Sequence, residues 1–199
     1  SRVPVVLLNR QAHALSTSSV FLDARGLGEQ IGRALLDRRY RRLALIRADS
    51  SSQVVIDMTT AIKNIVAQSS STEVIAEIPD TYGYEAGVKV IHKLWNRQTK
   101  PDAVVCTSDY TALGILAGCR YDLGISVPDE MGIIGLGDIP AASWKGQELT
   151  TVRLPHDDLV QQTVNTLLAR IDDPGIQPED FQFNAELILR GTTRNITND

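Results

Sequence analysis

The sequence predicts an α/β protein built on a doubly wound parallel sheet. Two observations carry that prediction. Short apolar runs recur from one end of the chain to the other, and amphipathic helical stretches separate them. Runs of this kind, continuous rather than alternating, belong to strands covered on both faces. The 199 residues, 43% hydrophobic and 22% charged, suffice for one sizeable core or two small lobes.

The elements follow in order. Pro4 to Asn9 is an apolar strand, and Val20 to Asp23 is a second, shorter one. Gly26 to Arg38 is a helix with Leu27, Ile31, Ala34 and Leu35 on one stripe. Leu43 to Ile46 is a strand, and Val54 to Gln68 is a helix after the polar loop Asp49-Ser50-Ser51-Ser52. Val74 to Ile78 is the next strand, and Tyr84 to Trp95 is a helix with Ala86, Val90, Ile91 and Leu94 inward. The pattern repeats with strand 103–107, helix Thr111 to Tyr121 and strand 132–136, so Leu43 to Leu136 reads as one doubly wound lobe of four strands. Residues 149–153, LTTVR, read as a return segment. After Val152 the character changes: Asp157 to Ile171 is a helix, Asp173-Pro174-Gly175 a turn, and 181–183 and 185–190 are two late strands. A chain that opens directly on a buried strand is expected to be a piece of something longer.

Composition excludes several functions. A net charge of −4 argues against a surface built mainly for phosphate backbones. No apolar run approaches a membrane span, and no secretory pattern opens the chain. Cys106 ends a strand and Cys119 lies in a helix, as buried reduced thiols do. His13 and His92 have no partners at metal spacing, and no metal site is expected. There is no GxSxG motif and no Cys/His constellation, so no enzyme is predicted. Gly135-x-Gly137 follows a buried strand, but Pro140 occupies the third position of the dinucleotide fingerprint; no cofactor is expected. The basic run Arg38-Arg39-Tyr40-Arg41-Arg42 reads as a solvated helix C-terminus, and Asp157 and Asp158 as first-turn acids.

The stretch from Ala103 to Arg153 aims two strand ends at one crevice, where open α/β sheets bind ligands. Together with VPVVLLNR (3–10), VFLDARGLGEQIGRALLDRRYRRLALI (20–46), YEAG (84–87), CTSDYTALG (106–114), ISVPDEMGIIGLGD (125–138), LTTVR (149–153) and ELILRGTTR (186–194), it resembles the LacI/GalR family of bacterial transcription regulators. These segments run in the family's order over almost the whole chain. The resemblance implies a periplasmic-binding-protein type I-like fold with an effector between two lobes joined by three crossings. Residues 23–152 and 185–199 would form a complete C-terminal lobe, and 1–22 and 153–184 part of the N-terminal lobe.

By the same resemblance, Asn9, Ser51, Tyr82, Ser108, Asp109, Gly137, Asp138 and His156 would line the effector cleft. Met58 would stand where the family presents an arginine fork, and Gly137 where it presents a first carboxylate; both departures remove polar handles. Leu113 and Trp144 would contribute to a homodimer interface. The implied function is the effector-sensing and dimerisation portion of a cytoplasmic regulator. Its small-molecule effector would be sugar-like, and operator DNA would be bound through a helix-turn-helix head that has no counterpart in these residues. A solute-binding protein of a transport system, with the same fold, is the alternative.

Overall fold

A computed structural model describes residues 3–11 and 17–196; His13 lies outside them. The larger of two sheets has the order β4-β3-β5-β6-β7-β9, formed by β3 (Arg42–Ile46), β4 (Glu73–Ile78), β5 (Ala103–Cys106), β6 (Gly132–Leu136), β7 (Thr150–Arg153) and β9 (Glu186–Ile188). The smaller has the order β1-β2-β8, from β1 (Val6–Leu8), β2 (Ser18–Leu22) and β8 (Asp180–Phe183). All pairings are parallel except that of β7 with β9.

Successive residues of β3 explain why the large sheet is covered twice. Leu43 and Leu45 pack with α1 (Ala24–Asp37) and α2 (Gln53–Val66), whereas Ala44 and Ile46 pack with α3 (Tyr84–Trp95) and α4 (Asp109–Ala117). Side chains alternate across a strand, so an uninterrupted apolar run fills both layers. The helix α1 is started by Asp23, whose Oδ1 accepts the Gly26 N–H at 2.9 Å. It ends in a paired-carbonyl stop, with Arg39 N–H on Leu36 O and Tyr40 N–H on Leu35 O at 2.9 and 3.1 Å. Between these ends Gly28 lets α1 lie against α2: a Cβ there would sit 2.2 Å from the Met58 carbonyl oxygen.

The four strands read between Leu43 and Leu136 are β3 to β6, and one expectation needs correction: the return segment forms the strand β7 beside β6, so that with the late strand β9 at the edge the sheet has six strands. Threonines disguise β7, yet Thr150 and Thr151 are fully buried with their hydroxyls bonded. Thr150 N–H donates to Thr192 Oγ1 at 2.8 Å, and its own Oγ1 meets Thr193 Oγ1 at 2.9 Å. The edge strand β9 runs antiparallel to β7, which makes the otherwise parallel sheet mixed.

The helix α5 (His156–Asp172) packs on the small sheet through Leu159, against Val20 and Leu22. The chain passes between the two sheets three times: at Asp23 after β2, at Leu154–Pro155 after β7, and at Asn184–Ala185 before β9.

Candidate binding cleft

A cleft of about 800 Å³ lies where the two sheets meet, with Asn9, Phe21 and Gln182 on one side and Ser51, Gln53 and Asp57 on the other. Asn9 is placed at the carboxyl end of β1 in a left-handed conformation (φ 55°), and its N–H donates to Val20 O at 2.8 Å. Asparagine tolerates that backbone region better than most residues. Ser51 precedes α2, and its hydroxyl donates to Asp49 Oδ1 at 2.7 Å. Hydrogen bonds from the Ser51 hydroxyl and N–H hold the Asp49 carboxyl below the usual carboxylate range. One turn on, Gln53 Nε2 donates to Asp57 Oδ1 at 2.7 Å. The walls thus present amides, the Ser51 hydroxyl, the carboxylates of Asp23 and Asp57, the guanidiniums of Arg10 and Arg25 and the ring of Phe21, an arrangement able to hold a small polar molecule by several directed hydrogen bonds.

Met58 is not among these residues. It is 1% exposed and packs with Leu27, Ile31 and Ile62 beneath α1. Consecutive helix residues are turned by about 100°, so one step in register moves a side chain from core to cleft. The side chain of that turn which lines the cleft is Asp57. The spacing of Met58, Ala61, Ile62 and Ile65 carried the signal, since it marks Met58 as part of the buried stripe.

The remaining expected residues all lie outside the cleft's lining: Tyr82, Ser108, Asp109, Gly137 and Asp138 along the carboxyl edge of the large sheet, and His156 as the exposed first residue of α5. Asp109 opens α4 and is 1% exposed. Its Oδ1 accepts the Thr151 hydroxyl and its Oδ2 accepts the Ile139 N–H at 2.9 Å, so both oxygens brace the protein itself. Burial raises its carboxyl above the ordinary range against the pull of those two hydrogen bonds. Ser108 before it is buried, and its side chain does not cap the helix.

Gly137 and Asp138 turn the chain after β6 with φ of 137° and 47°. The Asp138 carboxylate accepts Arg153 Nε at 2.7 Å and Arg190 Nη2 at 2.6 Å. Burial alone would raise this carboxyl, but the two guanidiniums outweigh it and hold the group low. Tyr82 is 64% exposed and meets Tyr110 edge-on, ring centroids 6.3 Å apart. Nothing in the sequence paired these two rings, since they come from different elements.

Elsewhere, Leu113 and Trp144 line one apolar groove of about 240 Å³ together with Tyr84, Leu116 and Tyr121. His92 Nε2 lies 2.9 Å from Asp122 Oδ2, a local partner. Among the described residues no group of three or more His, Cys, Asp or Glu could hold a metal ion. Nor is any helix long and apolar enough to cross a membrane. Burial pushes the Cys106 thiol up, and that of Cys119 up to about 12.

A family model described as a periplasmic binding protein-like domain matches residues 32–193. Catabolite control protein A of Staphylococcus epidermidis is 25% identical over 195 residues, covering 98% of this chain and 58% of that protein. The HTH-type transcriptional repressor PurR of Shigella sonnei is 26% identical over 197 residues, covering 94% and 55%. The chain therefore spans little more than half the length of these relatives, whose names are those of regulators rather than enzymes. Among solved structures, a LacI family transcriptional regulator from Enterococcus faecalis with bound ribose superposes with a TM-score of 0.81 at 20% identity, covering 96% of this chain and 68% of that one.

Proposed function

We propose, from the premise that this chain belongs to the periplasmic binding protein-like domain family, that it is the effector-sensing and dimerising portion of a LacI-type transcription regulator. In that reading 23–152 and 185–199 are one lobe, and 1–22 and 153–184 belong to the other. A small molecule, sugar-like or a related metabolite, sits between them. The observation that carries the reading is the cleft: Asn9 and Gln182 beside the small sheet face Ser51, Gln53 and Asp57 at the start of α2, so a ligand there interacts with both lobes at once.

A ligand that contacts both sides favours whichever lobe separation lets it reach both, and so shifts an existing equilibrium. That shift would alter operator affinity through a helix-turn-helix head elsewhere in the whole, cytoplasmic protein. Asn9, Ser51, Gln53 and Asp57 are the groups assigned to the ligand. Asp138 and Asp109, with their oxygens engaged internally, are assigned to shaping the edge beside it, and Tyr82, Ser108, Gly137 and His156 remain candidates for contact on closure.

The test is to titrate ribose and a panel of related sugars and metabolites against the full-length protein in an operator-binding assay. The expected result is a change in DNA affinity with one class of compound, abolished by Asn9→Ala or Asp57→Ala. No change with any compound would remove the sensing role. The names of the matched relatives favour this reading over a solute-binding protein of a transport system.

A further inference from the structure

The exposed aromatic side chains of the described residues are Tyr82, Tyr84, Tyr110, Tyr121 and Trp144, and they form one strip. Tyr84, Tyr121 and Trp144 line the apolar groove over Leu113 and Leu116. Tyr82 and Tyr110 lie beyond that lining, with their rings edge-on to each other. Helix α4 joins the pair to the groove. Tyr110, Leu113, Ala117 and Tyr121 follow at the spacing of a single helix face, and Tyr110 is the one exposed residue of α4. The Tyr82 side is fastened to the same helix. Thr111 Oγ1 accepts the Gly83 N–H at 3.1 Å and donates to Thr81 O at 3.3 Å.

Area decides what such a strip can do. At about 200 Å² for each whole aromatic side chain, the exposed fractions of the five amount to about 600 Å². The three rings of the groove alone supply about 400 Å², half of the roughly 800 Å² that each partner gives to a stable interface. The strip is also short of charge. Arg120 is the one charged residue lining the groove, and the Gly146 carbonyl engages it. A two-fold contact sets a patch against its own copy, so a patch with so little charge meets itself without like-charge opposition.

We propose that Tyr82 and Tyr110 belong to the self-association face and extend it from the groove to the carboxyl edge of the large sheet, with a second copy of the chain as occupant. The inference rests on the dimerising role proposed above. It assigns Tyr82, which does not line the cleft, to the partner copy rather than to the effector. Thr111 fixes the loop that carries one ring and α4 carries the other, so both lose little freedom on docking.

The experiment is sedimentation of the full-length protein over a dilution series. Tyr82→Ser and Tyr110→Ser are each expected to weaken the dimer about tenfold or more, and the double variant further. Tyr110→Phe keeps the ring and should stay within about threefold of the parent. Circular dichroism checks the fold, which survives these changes because both rings are exposed. A dimer of parental strength in the double variant overturns the inference, and so does a monomeric parent. Trp144→Glu in the same assay separates this inference from the reading it rests on. If Trp144→Glu dissociates a dimer that the double variant leaves intact, the interface is confined to the groove and the dimerising role stands. If Trp144→Glu leaves the dimer intact as well, the groove is not an interface and both readings fall.

Discussion

Asp57 and Met58 are adjacent in the chain and opposite in environment, and this makes them a clean pair for mutation. Met58→Ala opens a cavity in the layer between α1 and the large sheet, and its expected cost is about 2–5 kcal/mol in urea unfolding. Asp57→Ala removes an exposed carboxylate bonded only to Gln53, so its stability should stay within about 0.5 kcal/mol of the parent while any cleft binding falls. Gly135 makes a different point. A Cβ there would sit 2.1 Å from Asp109 Oδ1, and that carboxylate cannot swing aside while Thr151 and Ile139 hold it. Gly135→Ala is therefore expected to cost about 1–3 kcal/mol by the same measurement. Asp138 adds a pH signature. Its carboxyl is held below its unfolded value, so the stability it provides is present above the usual carboxylate range and is lost as pH falls through the lowered value. Asp109, raised instead, contributes in full at acid pH and loses its contribution as pH rises, so the two are separable. Unfolding midpoints measured down the acid limb should fall less steeply for Asp138→Asn than for the parent.

At the scale of elements, legibility followed how locally each one is determined. The bounds of α3 and β6 were readable to the residue, because an apolar stripe and an apolar run define them without outside help. The strand β7 was not readable, because what makes its two threonines acceptable in a core lies about forty positions away on either side: the hydroxyls of Thr192 and Thr193 for Thr150, and the Asp109 carboxylate for Thr151. The same limit applied to the cleft. Asn9 and Ser51 could be assigned to it by resemblance, but the lining role of Gln53, Phe21 and Gln182 depends on how the sheets approach one another. The end of α1 shows a local rule broken. Arg39 occupies the left-handed position (φ 59°) that glycine normally fills after a helix. Its backbone hydrogen bonds survive substitution, so Arg39→Gly relieves the steric penalty and is expected to stabilise the protein by up to ~1 kcal/mol, read as a raised unfolding midpoint.

For the molecule as a whole, the groove between α4 and the loop after β6 makes the strongest demand on a partner. Trp144 is 62% exposed and Tyr121 80%, and both border a surface floored by Leu113 and Leu116. Large aromatics over an apolar floor characterise the buried centres of interfaces. The loop that presents Trp144 is braced: Gln147 N–H donates to its carbonyl at 2.9 Å, and Arg120 donates to the Gly146 carbonyl. A braced aromatic loses little further freedom on docking, which favours association. A second copy of the chain is the proposed occupant, consistent with the reading of Leu113 and Trp144 as interface residues. The two residues should then respond differently. Leu113 is only 8% exposed and belongs to the core as well, so Leu113→Ala should lower both stability and association. Trp144→Glu places a charge in the groove without touching the core, so sedimentation should show a dimer turned to monomer with the unfolding midpoint of the isolated subunit unchanged. A dimer that survives Trp144→Glu intact would move the interface to another face.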